Sequence, residues 1–253
     1  MKAKTFFIFL VSLSFIVCAS SQKKIEESRR KDPRYQYNVG LVHLNRGNLN
    51  EAITYLNRAL TLDPNYYMAL NALGLAHFMK GNLQEATKHL QKGIAINPSF
   101  SEARNNLGMV YQEMGLLDKA QQEFRIAASD QNYPSRELPY YNLARLYLAQ
   151  EKPEDALGYV VTALQFNKNL AMAHDLEGTI HEKLNQLEEA VESRRAAVKL
   201  DPLNLDFNFA LAVALFKNSQ HKEAEEIFTQ LSAKATDPEM KDQIKQYLKL
   251  IRE

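Results

Sequence analysis

The sequence predicts an all-α fold, a right-handed superhelical solenoid of six helix-turn-helix repeats that is closed by a C-terminal helix. Three observations predict it. Residues 67–100 form one complete unit of 34 residues, the same pattern of small and large side chains recurs in five other stretches, and an apolar stripe follows the last copy. One such unit cannot bury its apolar face alone, so stacked copies are needed for a stable core.

Within residues 67–100, small and turn-forming residues stand where two helices must meet and end. Leu73, Gly74 and His77 fall on one face of the first helix, and the missing side chain at Gly74 lets the second helix lie close against it. Gly81 supplies a left-handed cap for the first helix, and Pro98 stops the second. This spacing is the signature of the tetratricopeptide repeat.

The remaining copies keep this pattern with two departures and a closing segment. The predicted repeats are 33–66, 67–100, 101–134, 137–170, 171–204 and 205–238. The fourth copy begins two residues late, so residues 129–139 form a lengthened joint, which we interpret as a loop insertion. In the fifth copy, Glu177 and Arg194 occupy places that are apolar elsewhere. Residues 239–253 are predicted to cap the last repeat as an amphipathic helix.

Residues 1–21 have the features of an export signal: a basic start, a short apolar run and a small-residue end. Cys18 lies at the end of the run and predicts a lipid attachment site. Ordinary cleavage after Ala19 or Ser20 is the alternative, and either process places the mature chain outside the cytoplasm. The polar residues 22–32 are predicted to be a solvated tether rather than a specific basic site.

Composition and motifs exclude several classes of function. The chain has 31 Lys and Arg against 30 Asp and Glu, and the loss of two lysines with the signal leaves a formal charge of −1. A nearly neutral chain argues against nucleic acid as the main partner. No phosphate-binding loop, dinucleotide fingerprint, HExxH pair or CxxC cluster occurs in the sequence. We therefore predict no enzymatic activity, no cofactor, no metal and no small-molecule substrate.

The histidines are the remaining candidates for chemistry, and their positions favour packing. His43, His77 and His181 share one place in their repeats, and Tyr111 and Tyr147 stand at that place in others. A place that accepts tyrosine as well as histidine does not require a titrating group or a metal ligand. We predict that these side chains pack between helices.

A solenoid of this kind offers a concave face built mainly from the second, fifth, ninth, twelfth and thirteenth places of each first helix. In the first three repeats these places hold Arg34, Tyr37, Leu41, Leu44, Asn45, Met68, Asn71, Leu75, Phe78, Met79, Glu102, Asn105, Met109, Gln112 and Glu113. In the last three they include Leu138, Tyr141, Arg145, Leu148, Met172, Asp175, Thr179, Glu182, Lys183, Asp206, Phe209, Val213, Phe216 and Lys217.

The predicted partner-binding groove comprises Tyr37, Leu41, Met68, Asn71, Leu75, Phe78, Met79, Asn105, Met109 and Tyr141. A face rich in methionine and aromatic residues suits an apolar peptide or helix. We expect Asn71 and Asn105 to bond the backbone of that segment. The alternative is that packing of the solenoid, or the tether, buries part of the apolar stripe.

The whole chain resembles the PilF/PilW family, the pilotin lipoproteins of type IV pilus assembly that include the Tgl protein of gliding bacteria. The resemblance is carried by Cys18 at the end of the signal, the six repeats, the closing helix and the joint with Asn132-Tyr133-Pro134. It implies an outer-membrane lipoprotein on the periplasmic face, anchored through Cys18. It also implies that the chain helps a secretin subunit to reach the outer membrane or to assemble there, with an apolar secretin segment in the groove.

Other functions of the same fold stay open on sequence alone. The chain could serve as a scaffold of another envelope machine, in polysaccharide export or cell-wall assembly, and could be a soluble periplasmic or secreted protein. A regulatory or substrate-presenting domain of a transferase is the third class, and it requires a separate catalytic subunit.

Overall fold

Residues 28–253 are described by the computed structural model, in which thirteen helices occupy residues 33–252 and the described residues contain no strand. In chain order the helices are α1 (Pro33–Asn45), α2 (Leu49–Leu62), α3 (Tyr67–Met79), α4 (Leu83–Ile96), α5 (Ser101–Glu113), α6 (Leu117–Ser129), α7 (Glu137–Ala149), α8 (Pro153–Phe166), α9 (Ala171–Lys183), α10 (Leu187–Leu200), α11 (Leu205–Lys217), α12 (His221–Lys234) and α13 (Pro238–Arg252). The predicted all-α fold of helix pairs is confirmed. The signal segment, Cys18 and most of the predicted tether lie outside the described residues.

The helices belong to two compact units, residues 28–115 with α1 to α5 and residues 116–253 with α6 to α13. Within each unit, every helix packs against the next one in the chain. In the first unit, α1 also contacts α3, and α3 contacts α5, so alternate helices lie side by side. Each predicted repeat starts at the residue where a first helix begins, which is Pro33, Tyr67, Ser101, Glu137, Ala171 or Leu205.

Close packing of α3 and α4 depends on Gly74, as the sequence predicts. A Cβ atom added at Gly74 would lie 2.6 Å from Cγ of Leu90 and 3.3 Å from the carbonyl oxygen of Ala86. Both distances are shorter than ordinary van der Waals contacts of a Cβ atom. The backbone of α3 therefore sits directly on the side chain that fills this interface, and α3 is fixed relative to α4.

The lengthened joint before α7 is held by its own side chains. Arg136 donates from Nε and Nη2 to the carbonyl oxygen of Ala128, at 3.2 and 3.1 Å, and its guanidinium lies 4.5 Å from the centre of the Phe166 ring. Tyr133 is buried. The insertion is thus an ordered part of the second unit, because it bonds the end of α6 and rests on the end of α8.

The three histidines with a predicted packing role do contact neighbouring side chains. The His43 ring stacks on Tyr55 with centroids 5.3 Å apart, and the His77 ring stacks on His89 at 5.5 Å. The Nδ1 atom of His181 lies 2.7 Å from Oε1 of Gln186. These contacts agree with the packing interpretation. Burial lowers the pKa of His77 and of His89 below the ordinary value of 6.5.

The close contact at Gly74 can be tested by substitution, because the fourth repeat supplies an alternative pair of residues for the same two places. Gly74→Ala should lower the free energy of unfolding by about 1–3 kcal/mol, because the new methyl group overpacks the interface. In the fourth repeat, Ala144 and Val160 stand at the places of Gly74 and Leu90, and both are buried. The double variant Gly74→Ala, Leu90→Val copies that pair and should be more stable than the sum of the two single changes indicates. Urea unfolding followed by circular dichroism measures both effects, and strict additivity would contradict this account of the interface.

The stacked pair His77 and His89 predicts a loss of stability in acid. Because folding lowers both pKa values, the unfolded chain binds protons more readily. The free energy of unfolding should therefore fall as the pH drops from about 7 through 6.5 toward the lowered pKa values. His77→Tyr, which copies Tyr111, should reduce this pH dependence. Urea unfolding at several pH values tests this, and an unchanged profile in His77→Tyr would refute it.

Candidate partner-binding surface

Nine of the ten predicted groove residues lie in the first unit, on α1, α3 and α5. We call them the first-unit face, which consists of Tyr37, Leu41, Met68, Asn71, Leu75, Phe78, Met79, Asn105 and Met109. Because α1, α3 and α5 pack side by side, equivalent places on the three helices form neighbouring rows. Tyr141 is on α7 in the second unit, and it is described with that unit.

Helix α3 lies in the middle of this face and is apolar around nearly its whole circumference. Its buried residues are Ala69, Leu70, Asn71, Ala72, Leu73, Gly74 and Ala76. Small residues dominate this set, so α2, α4 and the neighbouring first helices can all approach α3 closely. The larger side chains at the groove places, such as Phe78 and Met79, are then left at the surface.

The apolar residues of the first-unit face differ in exposure. Met79 is 51% exposed and Met68 is 38% exposed. Phe78 and Met109 are half-buried. Aromatic and thioether side chains that reach solvent in one patch can adapt to an apolar partner. Met68 and Met79 are therefore the apolar residues of the face that reach solvent most.

Tyr37, Leu41 and Leu75 belong to the base of the face. They are half-buried and pack against the core of the first unit. The buried members of that core are Leu44, Ala52, Leu56, Ala59, Ala69, Ala72, Leu73 and Ala76. Leu44, at a predicted groove place, is therefore a core residue. The alternative raised from the sequence, partial burial of the stripe, applies to these positions.

Asn71 requires a correction, because its amide is already engaged inside the protein. The residue is only 5% exposed. Its Nδ2 donates to Oε1 of Glu102 at 2.9 Å, and its Oδ1 accepts from Nδ2 of Asn106 at 2.8 Å. An amide held on both sides does not present itself to the backbone of a partner. Asn71 instead joins α3 to α5 and positions the Glu102 carboxylate.

Asn105 requires the same correction. It is 3% exposed, and its Nδ2 lies 4.0 Å from the sulfur of Met109, one turn further along α5. A side chain buried to this extent lies under the face rather than on it. Both asparagines thus lie beneath the surface, and Glu102 and several apolar residues lie on it.

The electrostatics of the face centre on Glu102 and Tyr37. Burial raises the pKa of Tyr37, and the nearby Glu102 carboxylate raises it further. The Tyr37 ring also lies 5.1 Å from the ring of Tyr66. Tyr37 on α1, Asn71 on α3 and Glu102 on α5 therefore come together across three helices.

Sequence reasoning missed the contributions of Glu102, Asn106 and Tyr66 to this surface. The repeat pattern places Glu102 on the concave face but outside the predicted groove. The signal for Asn106 is weak: it stands where the preceding repeat has Ala72, and a polar residue there implies a buried hydrogen bond. Tyr66 lies just before α3, outside the groove places of the repeat.

In the second unit, a buried arginine donates hydrogen bonds to the polar side chains at three groove places. The guanidinium of Arg194, on α10, donates to Asp175, Thr179 and Glu182 on α9. Burial raises the pKa of Asp175, and Arg194 opposes that rise. Arg194 is 7% exposed, so its charge must be paired within the protein. This explains why arginine can occupy a place that is apolar in the other repeats, and the second polar exception, Glu177, accepts from Ser193 at 3.0 Å.

The C-terminal helix covers the groove places of the sixth repeat. Tyr247 of α13 lies with its ring centre 5.3 Å from Phe216 and 6.2 Å from Phe209, and it stacks on Phe228 at 5.0 Å. Ile244 is fully buried in the same cluster. Phe209 and Phe216 are thus partly buried and pack against this core. At the other end of this unit, Tyr141 is half-buried, burial raises its pKa, and the Arg145 guanidinium lies 5.8 Å from its ring.

Metal-binding clusters and membrane-spanning helices are both missing from the part of the chain that the structure describes. Among residues 28–253, no group of three or more His, Cys, Asp or Glu side chains is arranged to hold a metal ion. Within the same residues, none of the helices has both the length and the apolar character needed to span a bilayer.

Solved structures with the same fold include PilF and PilW. PilF of Pseudomonas aeruginosa superposes with a TM-score of 0.74 at 21% identity, over 87% of this chain and 99% of PilF. PilW, described as a widely conserved type IV pilus biogenesis factor, gives 0.76 at 16% identity, over 84% of this chain and 97% of PilW. The APC/C hetero-tetramer Cut9–Hcn1 gives 0.75 at 16% identity, over 86% of this chain and 43% of the matched chain. At these identities the likeness establishes the fold.

Comparison of the sequence with protein-family profiles identifies the family of the chain. No match to a curated protein was found. One tetratricopeptide-repeat profile matches residues 19–67, 37–99 and 176–238, and a second matches residues 89–122. The first profile alone covers more than half of the chain. The chain therefore belongs to the tetratricopeptide-repeat family.

Proposed function

We propose that this protein is a non-enzymatic scaffold of the cell envelope that acts as a pilotin for the type IV pilus secretin. In this role it binds an apolar segment of a secretin subunit on the first-unit face and helps the subunit to reach the outer membrane or to assemble there. Lipid on Cys18 anchors the chain to the periplasmic face of that membrane.

The open apolar surface of the first unit is the observation that carries this proposal. Met68 near the start of α3, Phe78 and Met79 at its end and Met109 on the neighbouring α5 all reach the surface, and Tyr37 lies on α1, which also packs against α3. In the second unit, Arg194 bonds the polar groove places of the fifth repeat and Tyr247 of α13 packs on Phe209 and Phe216 of the sixth, while Met172 is 45% exposed. The apolar surface of the first unit is therefore the better place for a protein partner.

The choice of partner is supported by the fold comparison. PilF and PilW match this chain over nearly their whole lengths. The Cut9–Hcn1 structure matches equally well in fold but over less than half of its chain. Agreement in length as well as in fold favours the pilus proteins. A scaffold of another envelope machine is the second candidate, since the repeat fold serves many partners.

The first prediction of this proposal concerns the anchoring residues. Phe78→Glu and Met79→Glu should each reduce capture of the partner about tenfold or more, because a carboxylate would be carried into an apolar contact. The measurement is affinity purification of the tagged full-length protein from its native membranes, with quantitative mass spectrometry of what is retained. We expect a secretin subunit to be the principal protein retained by the unaltered chain.

The control for this experiment is Leu203→Glu. Leu203 is an apolar residue that is 85% exposed, and it belongs to the second unit rather than to the first-unit face. Its variant should retain the partner, and all three variants should keep the helical circular dichroism of the unaltered chain. Undiminished capture by Phe78→Glu and Met79→Glu would reject the first-unit face as the binding site. Recovery of other envelope proteins without a secretin would favour the second candidate.

The second prediction concerns the anchor. Cys18→Ser should move the protein from the membrane fraction to the soluble fraction, because the thiol that carries the lipid is lost. Mass spectrometry of the unaltered mature protein should find an N-terminal Cys18 with the mass of the attached lipid. A mature chain that begins at Ser20 or Ser21 would instead establish ordinary signal cleavage and a soluble protein.

A further inference from the structure

The carboxylate of Glu102 is held in place at the edge of the apolar face. Its Oε1 accepts from Nδ2 of Asn71 at 2.9 Å, and the other end of the Asn71 amide is fixed by Asn106 at 2.8 Å. Both asparagines are buried. Most surface glutamates exchange between rotamers in water, whereas Glu102 is oriented by two consecutive hydrogen bonds that begin at the buried Asn106.

The neighbours of Glu102 do not neutralise it. No Lys, Arg or His among residues 28–253 forms an ion pair with its carboxylate. The same face also holds Tyr37, Met68 and Met109. After burial, the negative charge of Glu102 is the next cause of the raised pKa of Tyr37. Arg34 occupies the equivalent place on α1 without forming an ion pair with it. Within residues 28–253, the charge of Glu102 is therefore not paired with a cation.

A partner that lies over this face must remove water from Glu102. Burying a carboxylate without a partner is costly, and burying it next to a second negative charge is costlier still. An apolar segment without a cation would therefore bind weakly, and an acidic one would be rejected. A lysine or arginine at the matching position would replace the lost hydration with an ion pair.

We propose that the protein segment bound by the first-unit face is apolar with one lysine or arginine among its apolar residues, and that this cation pairs with Glu102. The inference rests on the proposed function, since it concerns the same surface. Two sets of residues have different roles in this binding. Apolar contacts with Met68, Phe78 and Met79 supply affinity, and Glu102 selects a segment that carries the cation.

A selection of random peptides tests this inference. The probe is a library of twelve-residue peptides displayed on phage and selected on the full-length protein. With the unaltered protein, we expect recovered peptides that combine apolar residues with one lysine or arginine. With Glu102→Gln, the apolar residues should persist and the basic residue should lose its enrichment. The substituted side chain keeps an amide oxygen that can still accept from Asn71, so the surface beneath it is preserved.

Glu51→Gln is the matched control. Glu51 is an exposed carboxylate of the same unit, and it lies on α2, which supplies no residue of the first-unit face. Its variant should recover the same basic peptides as the unaltered protein. For one recovered peptide, replacement of its basic residue by norleucine should weaken binding about tenfold to the unaltered protein and less than about twofold to Glu102→Gln, as measured by fluorescence anisotropy.

The outcomes separate this inference from the proposed function. Apolar peptides without a basic preference, or a basic preference that survives in Glu102→Gln, would overturn the role of Glu102 while leaving the apolar site intact. Peptides that bind Phe78→Glu as well as the unaltered protein, or selections that recover no apolar peptides, would instead reject the first-unit face as the binding site.

Discussion

The close approach of the two helices within a repeat is the constraint on which the rest of the structure depends. At Gly40 an added Cβ atom would lie 2.8 Å from Leu56, at Gly74 it would lie 2.6 Å from Leu90, and at Gly178 it would lie 2.6 Å from Arg194. In these three repeats, the position of the first helix is thus fixed by the large side chain of the second helix. In the first unit this brings α1, α3 and α5 side by side and turns their remaining large side chains toward the surface. The binding surface is a consequence of the packing.

The same packing explains why polar residues could be placed under an apolar surface. Across the α3–α5 contact, Nδ2 of Asn106 donates to Oδ1 of Asn71, and Nδ2 of Asn71 donates to Glu102. In the second unit, Arg194 performs the corresponding task for Asp175 and Glu182. Buried polar groups must find partners, and a pair from adjacent helices also fixes how these helices align. These residues therefore determine which charges reach the surface.

Sequence reasoning predicted the helices well, since repeat periodicity and turn residues are local signals. Gly81, with φ at 76°, ends α3 as predicted. In the second unit, Glu151 and Ser219 adopt the same left-handed conformation without glycine, which composition alone does not reveal. The site was predicted less well. The groove places of the repeat identified Phe78 and Met79 correctly as surface residues, but they could not show that Asn71 is buried, because its partner is supplied by another repeat.

A repeat pattern fixes where side chains point and leaves their chemistry open. The fifth place of the first helix holds Tyr37, Asn71 and Asp175 in three repeats, and these residues are respectively half-buried against the core, bonded to Glu102 and paired with Arg194. The same fold can therefore carry an apolar surface in one unit and an internally neutralised one in another. For the same reason, this chain matches both PilF and the Cut9–Hcn1 structure in fold, although those proteins differ in their side chains. The identity of the partner has to be sought in the side chains that packing leaves at the surface, and Glu102, which has no counter-ion among residues 28–253, is one of them.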